Sequence, residues 1–267
     1  MKQLYLLTLG LLMGSAAQAQ SSDTTSVKKT DGSHVIIEAG AVKVTVGKKD
    51  STKTEKKTVK YPRFTYGLTF EHFDIGLSKY HTGSDFGAPN GYDLETETWK
   101  TSNVGFDLLQ MGIRFNPNLK VVLAAGLDWN HMRLKQNVTI QPEQPTLTIT
   151  DDAIDYEKNR FSSRYIRVPL YFEYRSPQSK KGKRTSIVFG PEVGFLLNGK
   201  VKQISKEKGK EKFKDDFNLE PFRYGASIRL GYGGGGLFFK YYFNDVFAKN
   251  EGPADYKNLS FGLTFGF

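Results

Sequence analysis

The sequence predicts an all-β protein, an eight-stranded antiparallel transmembrane β-barrel of up-and-down topology. Three observations carry that expectation. Eight segments alternate large apolar with small or polar residues, the period-2 signature of a strand with two different faces. The connectors between them alternate short and long, as they do in outer-membrane barrels. The two faces also differ in a way that a water-soluble barrel cannot accommodate, as set out below.

The chain of 267 residues opens with MKQLYLLTLGLLMGSAAQAQ. Lys2, an apolar run from Leu4 to Met13 and the small residues Ala17 and Ala19 form the three parts of a secretory signal peptide, residues 1–19. That run is too short for a membrane-spanning helix, which needs ~20 residues. Residues 20–63 are rich in Lys, Thr, Ser and Asp, the composition of a periplasmic tether, with one short hairpin conceivable across Ala39 and Gly40. The barrel domain is expected over 64–267. There is no cysteine, which removes a disulfide scaffold from the options for an exported chain.

The strands are expected, in order, at 64–80, 101–115, 119–134, 161–175, 185–198, 221–232, 237–244 and 257–267. In the first, the outward set runs Phe64, Tyr66, Leu68, Phe70 and then changes phase to Phe73, Ile75, Leu77. The second repeats the change, from Val104, Phe106, Leu108 to Leu109, Met111, Ile113, Phe115. One extra residue near Glu71 and His72, and one near Leu108 and Leu109, is what a β-bulge supplies. The third strand is regular. Pro169 in the fourth and Pro191 in the fifth each remove a ladder donor, and bulges are expected there too. The sixth and seventh strands flank a GGGG turn, and the eighth closes the chain on NLSFGLTFGF.

Strands two and three, four and five, and six and seven are joined by NPN, SPQSKKGKR and GGGG. The other connectors are long, at 81–100, 135–160, 199–220 and 245–256. An even strand count with short turns at one end places both termini in the periplasm and the long loops outside.

Twenty aromatic residues fall on one face of the strands, far more than the interior of an eight-stranded barrel can hold. The opposite face carries eleven glycines, six bases (Arg114, Lys120, Arg167, Arg223, Arg229, Lys240) and six acids (Glu71, Asp74, Asp107, Asp128, Glu173, Glu192). Turned to lipid, each base would cost ~2–4 kcal/mol and six roughly 12–24. That rivals the ~5–15 kcal/mol stability of a whole domain. The aromatics therefore face outer-membrane lipid, and the twelve charges form a lumen network. With six of each sign they are expected to pair and plug the barrel, since unpaired buried charge is costly. A conducting pore would favour a wider barrel and one dominant sign.

The net charge of +10 sits in loops and tether. Residues 21–63 carry ten bases and five acids, SPQSKKGKR four bases, and 199–220 seven bases and five acids, together +11. Aromatics do not interleave with these bases as a nucleic-acid stacking platform requires, so no nucleic-acid partner is expected. Anionic lipid headgroups are the remaining attraction. His72, His81 and His131 are expected on or above the upper halves of strands one and three, with serines nearby. No motif sets a nucleophile beside a base, no His spacing suits a metal, and Gly233 to Gly236 lack the G-K-[ST] of a phosphate loop. No catalytic, cofactor-binding or metal-binding residues are assigned.

At the terminus, Leu259, Phe261, Leu263, Phe265 and Phe267 point one way. Such a last strand is similar to the insertion signal read by barrel-assembly machinery, physically a strand that adds to an open sheet edge. The segments FDIGLSKY, RYIRVPLYFEYR, IVFGPEVGFLLNGKV and LSFGLTFGF resemble the PorT-like small outer-membrane β-barrel family of Bacteroidetes-type bacteria. Ile166, Val168, Pro169 and Leu170, then Gly190 and Pro191, carry its "L/I-x-V/I-P-L" strand and the Gly-Pro strand after it. The resemblance implies the barrel fold and, through the family's namesake, an accessory role in secretion across the outer membrane. Three function classes follow. The first is an interaction protein whose barrel anchors and displays loops to a protein partner. The second is a narrow-channel transporter of small solutes, and the third a lipid-modifying enzyme.

Overall fold

The structure is a computed structural model that describes residues 33–38, 41–46, 60–83, 85–89, 91–179 and 182–266, the first two segments as backbone alone. The expected signal peptide, most of the tether and Phe267 lie outside the described residues. Two units separate. In the first, β1 (Ser33–Glu38) and β2 (Ala41–Val46) pair antiparallel as a hairpin.

The second unit is the barrel. Its wall begins with β3 (Arg63–Leu68) and β4 (Phe73–Thr82), two halves of one interrupted strand, followed by β5 (Ser102–Arg114) and β6 (Leu119–Arg133). Two short strands follow in a loop, β7 (Val138–Ile140) and β8 (Ile149–Asp151). Then come β9 (Tyr156–Arg175), β10 (Thr185–Ser205), β11 (Gly209–Asp215), β12 (Phe222–Tyr232), β13 (Gly235–Tyr242) and β14 (Tyr256–Phe265). Neighbours run β10–β12–β13–β14–β4–β5–β6–β9, and β9 pairs back to β10, which closes an antiparallel barrel of eight strands. Closure removes the unpaired edges that an open sheet would present.

Both expected phase changes are present. The β3–β4 break spans residues 69–72, where His72 adopts φ 49° and Thr69 and Asp107 donate backbone bonds to Leu108 and Glu71. The β5–β6 register shifts between Asp107 and Leu109. The expectation of bulges at the prolines is corrected. The β9–β10 pairing passes from Phe189↔Phe172 to Glu192↔Pro169 without a shift, and β10–β12 runs evenly through Pro191↔Ala226. The register shifts of β9–β10 lie higher up, between Leu196 and Asn198 and between Ile204 and Ser205. A missing donor can thus be absorbed by dropping a rung of the ladder, with no residue inserted.

Alternation along the wall is sharp. Ile228, Phe239, Phe261 and Leu263 are 41–51% exposed, whereas Asp74, Arg167, Arg229 and Lys240 are 0% exposed. Apolar side chains this exposed, on all sides of the wall, call for hydrocarbon as their solvent.

The long-loop end departs from the sequence reading. Residues 199–220 were expected as a loop, yet β10 continues to Ser205 and turns into β11, and β9 begins at Tyr156. Leu134, Val138, Ile140, Phe161, Phe217, Phe247 and Tyr256 are buried there in one apolar cluster. The Phe161 ring meets Phe217 edge-on at 5.5 Å and stacks on Phe247 at 6.3 Å. Backbone bonds latch the loops together: Leu147 donates to Glu251 at 2.6 Å and Ala248 to Asn218 at 2.8 Å. The loops form a folded cap over the barrel mouth.

Candidate functional site: the charged lumen and its cap

Eight of the twelve expected lumen charges meet in one network, four acids and four bases contributed by seven of the eight wall strands. Arg167 donates to Asp74 at 2.8 Å and to Asp107 at 2.9 Å. Arg229 spans both oxygens of Asp74, at 3.1 Å from Nε and 2.7 Å from Nη2, the bidentate geometry that suits a planar guanidinium. Lys240 donates to Asp128 at 2.7 Å, with Glu192 at 3.8 Å and Asp74 at 3.9 Å. Arg223 completes the group on Asp128. Equal numbers of each sign leave the cluster neutral, which is the condition under which buried charge is tolerable.

The other four stand apart, toward the short-turn end. Lys120 is opposite Arg114 on one side and Glu173 on the other. Glu173 accepts from Arg175, a base outside the twelve expected from the sequence. Glu71 meets Gln110 at 3.5 Å. The twelve are therefore two groups at two heights.

Residues outside the expected set complete the site. His72, expected toward the upper rim, is 5% exposed inside the wall, 2.9 Å from Asp107 through Nδ1 and edge-on to Tyr171 at 5.1 Å. The interruption of strand one turns residue 72 inward in a left-handed conformation, against the parity of the strand. Arg223 lies between the rings of Tyr165 at 3.8 Å and Tyr242 at 4.0 Å, and Arg229 over Tyr171 at 4.8 Å. These cation–π contacts help to offset the desolvation of guanidinium groups. The tyrosines had a signal in the sequence: each has the opposite parity to its outward neighbours Ile166, Phe172 and Tyr241.

Two glycines make room for the arginines. A Cβ on Gly105 would lie 2.8 Å from both Arg167 Nη1 and Asp128 Oδ1, and one on Gly194 would lie 2.7 Å from Arg223 Nε. Gly105→Val should therefore destabilise the barrel by about 1–3 kcal/mol through overpacking, read as a lowered urea midpoint in detergent micelles.

Above the network, Tyr80, Asn130, Tyr165, Arg223 and Tyr242 bound a cavity of about 20 Å³, room for roughly one water. The apolar cap lies beyond it. On the outer surface, His131 Nδ1 stands 2.9 Å from Ser162 Oγ, a cross-strand pair that no sequence motif encodes. No carboxylate orients this histidine by a hydrogen bond among the described residues. Of the terminal strand, Phe261, Leu263 and Phe265 are exposed at 41–51% and Leu259 is partly exposed. Phe267 is outside the described residues.

Residues 18–248 match a family model described as "Outer membrane protein beta-barrel domain". A comparison with curated proteins finds no match. Among solved structures the chain is similar to Ail, the attachment invasion locus protein of Yersinia pestis. That match has 13% identity over 73% of this chain and 96% of that one, with a TM-score of 0.31.

Proposed function

Since the chain belongs to the outer membrane protein β-barrel domain family, we propose that it is an integral outer-membrane anchor that displays a rigid cap to a protein partner. The observation that carries this reading is the pairing of a neutral ion network in the lumen with an apolar cap over its mouth. A barrel blocked twice has its working surface outside. Conduction would require a hydrated path, and the space between network and cap takes about one water. In this reading the signal peptide directs export, both termini are periplasmic, and the long-loop end is extracellular. Barrel-assembly machinery receives the last strand, Leu259 to Phe267. The resemblance of its strands to the PorT-like family makes an accessory of secretion or surface assembly the kind of role to test first.

The test is site-specific photo-crosslinking in intact cells from exposed cap positions Gln144, Lys208 and Lys249. The expected result is a discrete protein adduct from at least one cap position and none from lipid-facing Leu237. Absence of any adduct from all three cap positions would contradict the display role. Planar-bilayer recording of the same protein should give no stable single-channel steps; large, reproducible steps would favour the transporter reading.

A further inference from the structure

Above the apolar belt, one flank of the wall turns strongly basic. Its cross-strand rows read Lys214–Lys200–Ser162–His131 and Lys212–Lys202–Arg160–Arg133, all in register. Lys158 and Arg164 extend the patch on β9. Like charges directly opposite each other destabilise a sheet, and on this face only Arg133 has a carboxylate partner among the described residues, Glu97 at 3.5 Å. Partial desolvation, then repulsion from neighbouring bases, holds the ammonium groups of Lys158, Lys200 and Lys202 below their ordinary range. Arg160 Nε is buried without a hydrogen-bond partner. The patch is a set of cations lacking its anion.

The shape below the charges identifies the anion's carrier. A groove of about 250 Å³ has Val104 and Trp129, opposite Arg164, at its foot and His131, Lys200 and Arg160 in the cross-strand rows above, and none of its lining residues is acidic. Trp129 belongs to the apolar belt, and the Arg164 guanidinium lies 5.8 Å from its ring centroid. His131 is two residues beyond Trp129, at most about 7 Å along the strand. A bilayer's polar headgroup layer is about 5–7 Å deep on each side. Acyl chain at the foot and phosphate at the head is the match this groove offers.

We infer that this flank binds the phosphate-bearing headgroup of a membrane glycolipid, with Arg160, Arg164 and Lys200 on phosphate and Val104 and Trp129 against the first methylenes. The proposal goes beyond the display role and does not depend on it: a lipid can occupy the flank whether or not a protein occupies the cap. Free sulfated polysaccharide or an acidic protein would use charge alone and leave the apolar foot of the groove empty.

The test uses the full-length protein refolded in micelles, with binding read by Trp fluorescence and native mass spectrometry. The probes are diphosphoryl lipid A, the same lipid without phosphates, inorganic phosphate and heparin. Saturable binding of diphosphoryl lipid A is expected, with dephosphorylated lipid, phosphate and heparin all far weaker. The triple variant R160Q/R164Q/K200Q should bind it on the order of 100-fold more weakly, each base near an anionic surface contributing about a factor of five. K206Q/K208Q/K249Q removes as much charge elsewhere and should leave binding within about two-fold, by the same surface electrostatics. Folding of each variant is checked by its heat-modifiable gel shift; if the triple variant does not fold, Lys200→Gln alone should weaken binding about five-fold. Unchanged affinity in the folded variants, equal binding of the dephosphorylated lipid, or heparin binding as tightly as the lipid would overturn the proposal.

Discussion

Asp74→Ala should destabilise the barrel by about 3–5 kcal/mol, the usual consequence of removing one partner from a buried ion group. Asp74 receives both Arg167 and Arg229, and all three side chains are 0% exposed. Its loss leaves two guanidinium groups facing each other without a carboxylate between them. The effect should appear in urea unfolding of the protein in micelles or thin bilayers, as a lower midpoint with little change in slope. The double variant Asp74→Leu with Arg229→Leu should recover part of the loss, because what is costly is the unpaired charge and not the absence of the pair. If Asp74→Ala were neutral, water would have to reach the network, and the closed lumen would be wrong.

Ile228→Arg tests the other face. Ile228 sits near the middle of β12, 41% exposed, beside Phe239 and Phe189 on the adjoining strands. An arginine there, looking into hydrocarbon near the midplane, should cost about 2–4 kcal/mol. Lys202→Ala, above the belt, should lie within about 0.5 kcal/mol of the parent, as surface changes usually do. The contrast between the two is the point: in a soluble protein, charge added at a half-exposed site would be close to harmless.

The wall was legible in the sequence because a strand writes its two solvents into alternate residues. Ile228 and Arg229, or Leu263 and Thr264, need no partner identified to say which way they face. Even the two bulges were readable, since one added residue flips the parity of everything after it. Pairing within the lumen was less so. All twelve charges could be named, but that eight join in one neutral cluster while Glu71, Arg114, Lys120 and Glu173 form a lower group depends on strand tilt and register.

The cap was hidden for a different reason. Leu94, Leu147, Phe217, Leu219 and Phe247 are scattered among Asp, Glu, Lys and Asn, with no periodicity. Each is unremarkable alone, and they become a core only when four loops meet over the barrel mouth. The lysines of 199–220 likewise read as a solvated loop, because alternate Lys and Glu or Lys and Phe are as common on a polar surface as on a strand. Their basic face exists only through cross-strand register with β9 and β6.

Spin-label accessibility along the outside of β12 tests the central claim most directly, and the absence of cysteine from the chain makes single-cysteine labelling clean. Labels at Tyr224, Ala226, Ile228 and Leu230 in reconstituted bilayers should be accessible to oxygen and shielded from a water-soluble nickel chelate, with the oxygen preference greatest near Ile228. A label at Lys208 on the cap should show the reverse. Equal access of the nickel chelate to Ile228 and Lys208 would contradict a hydrocarbon-facing belt.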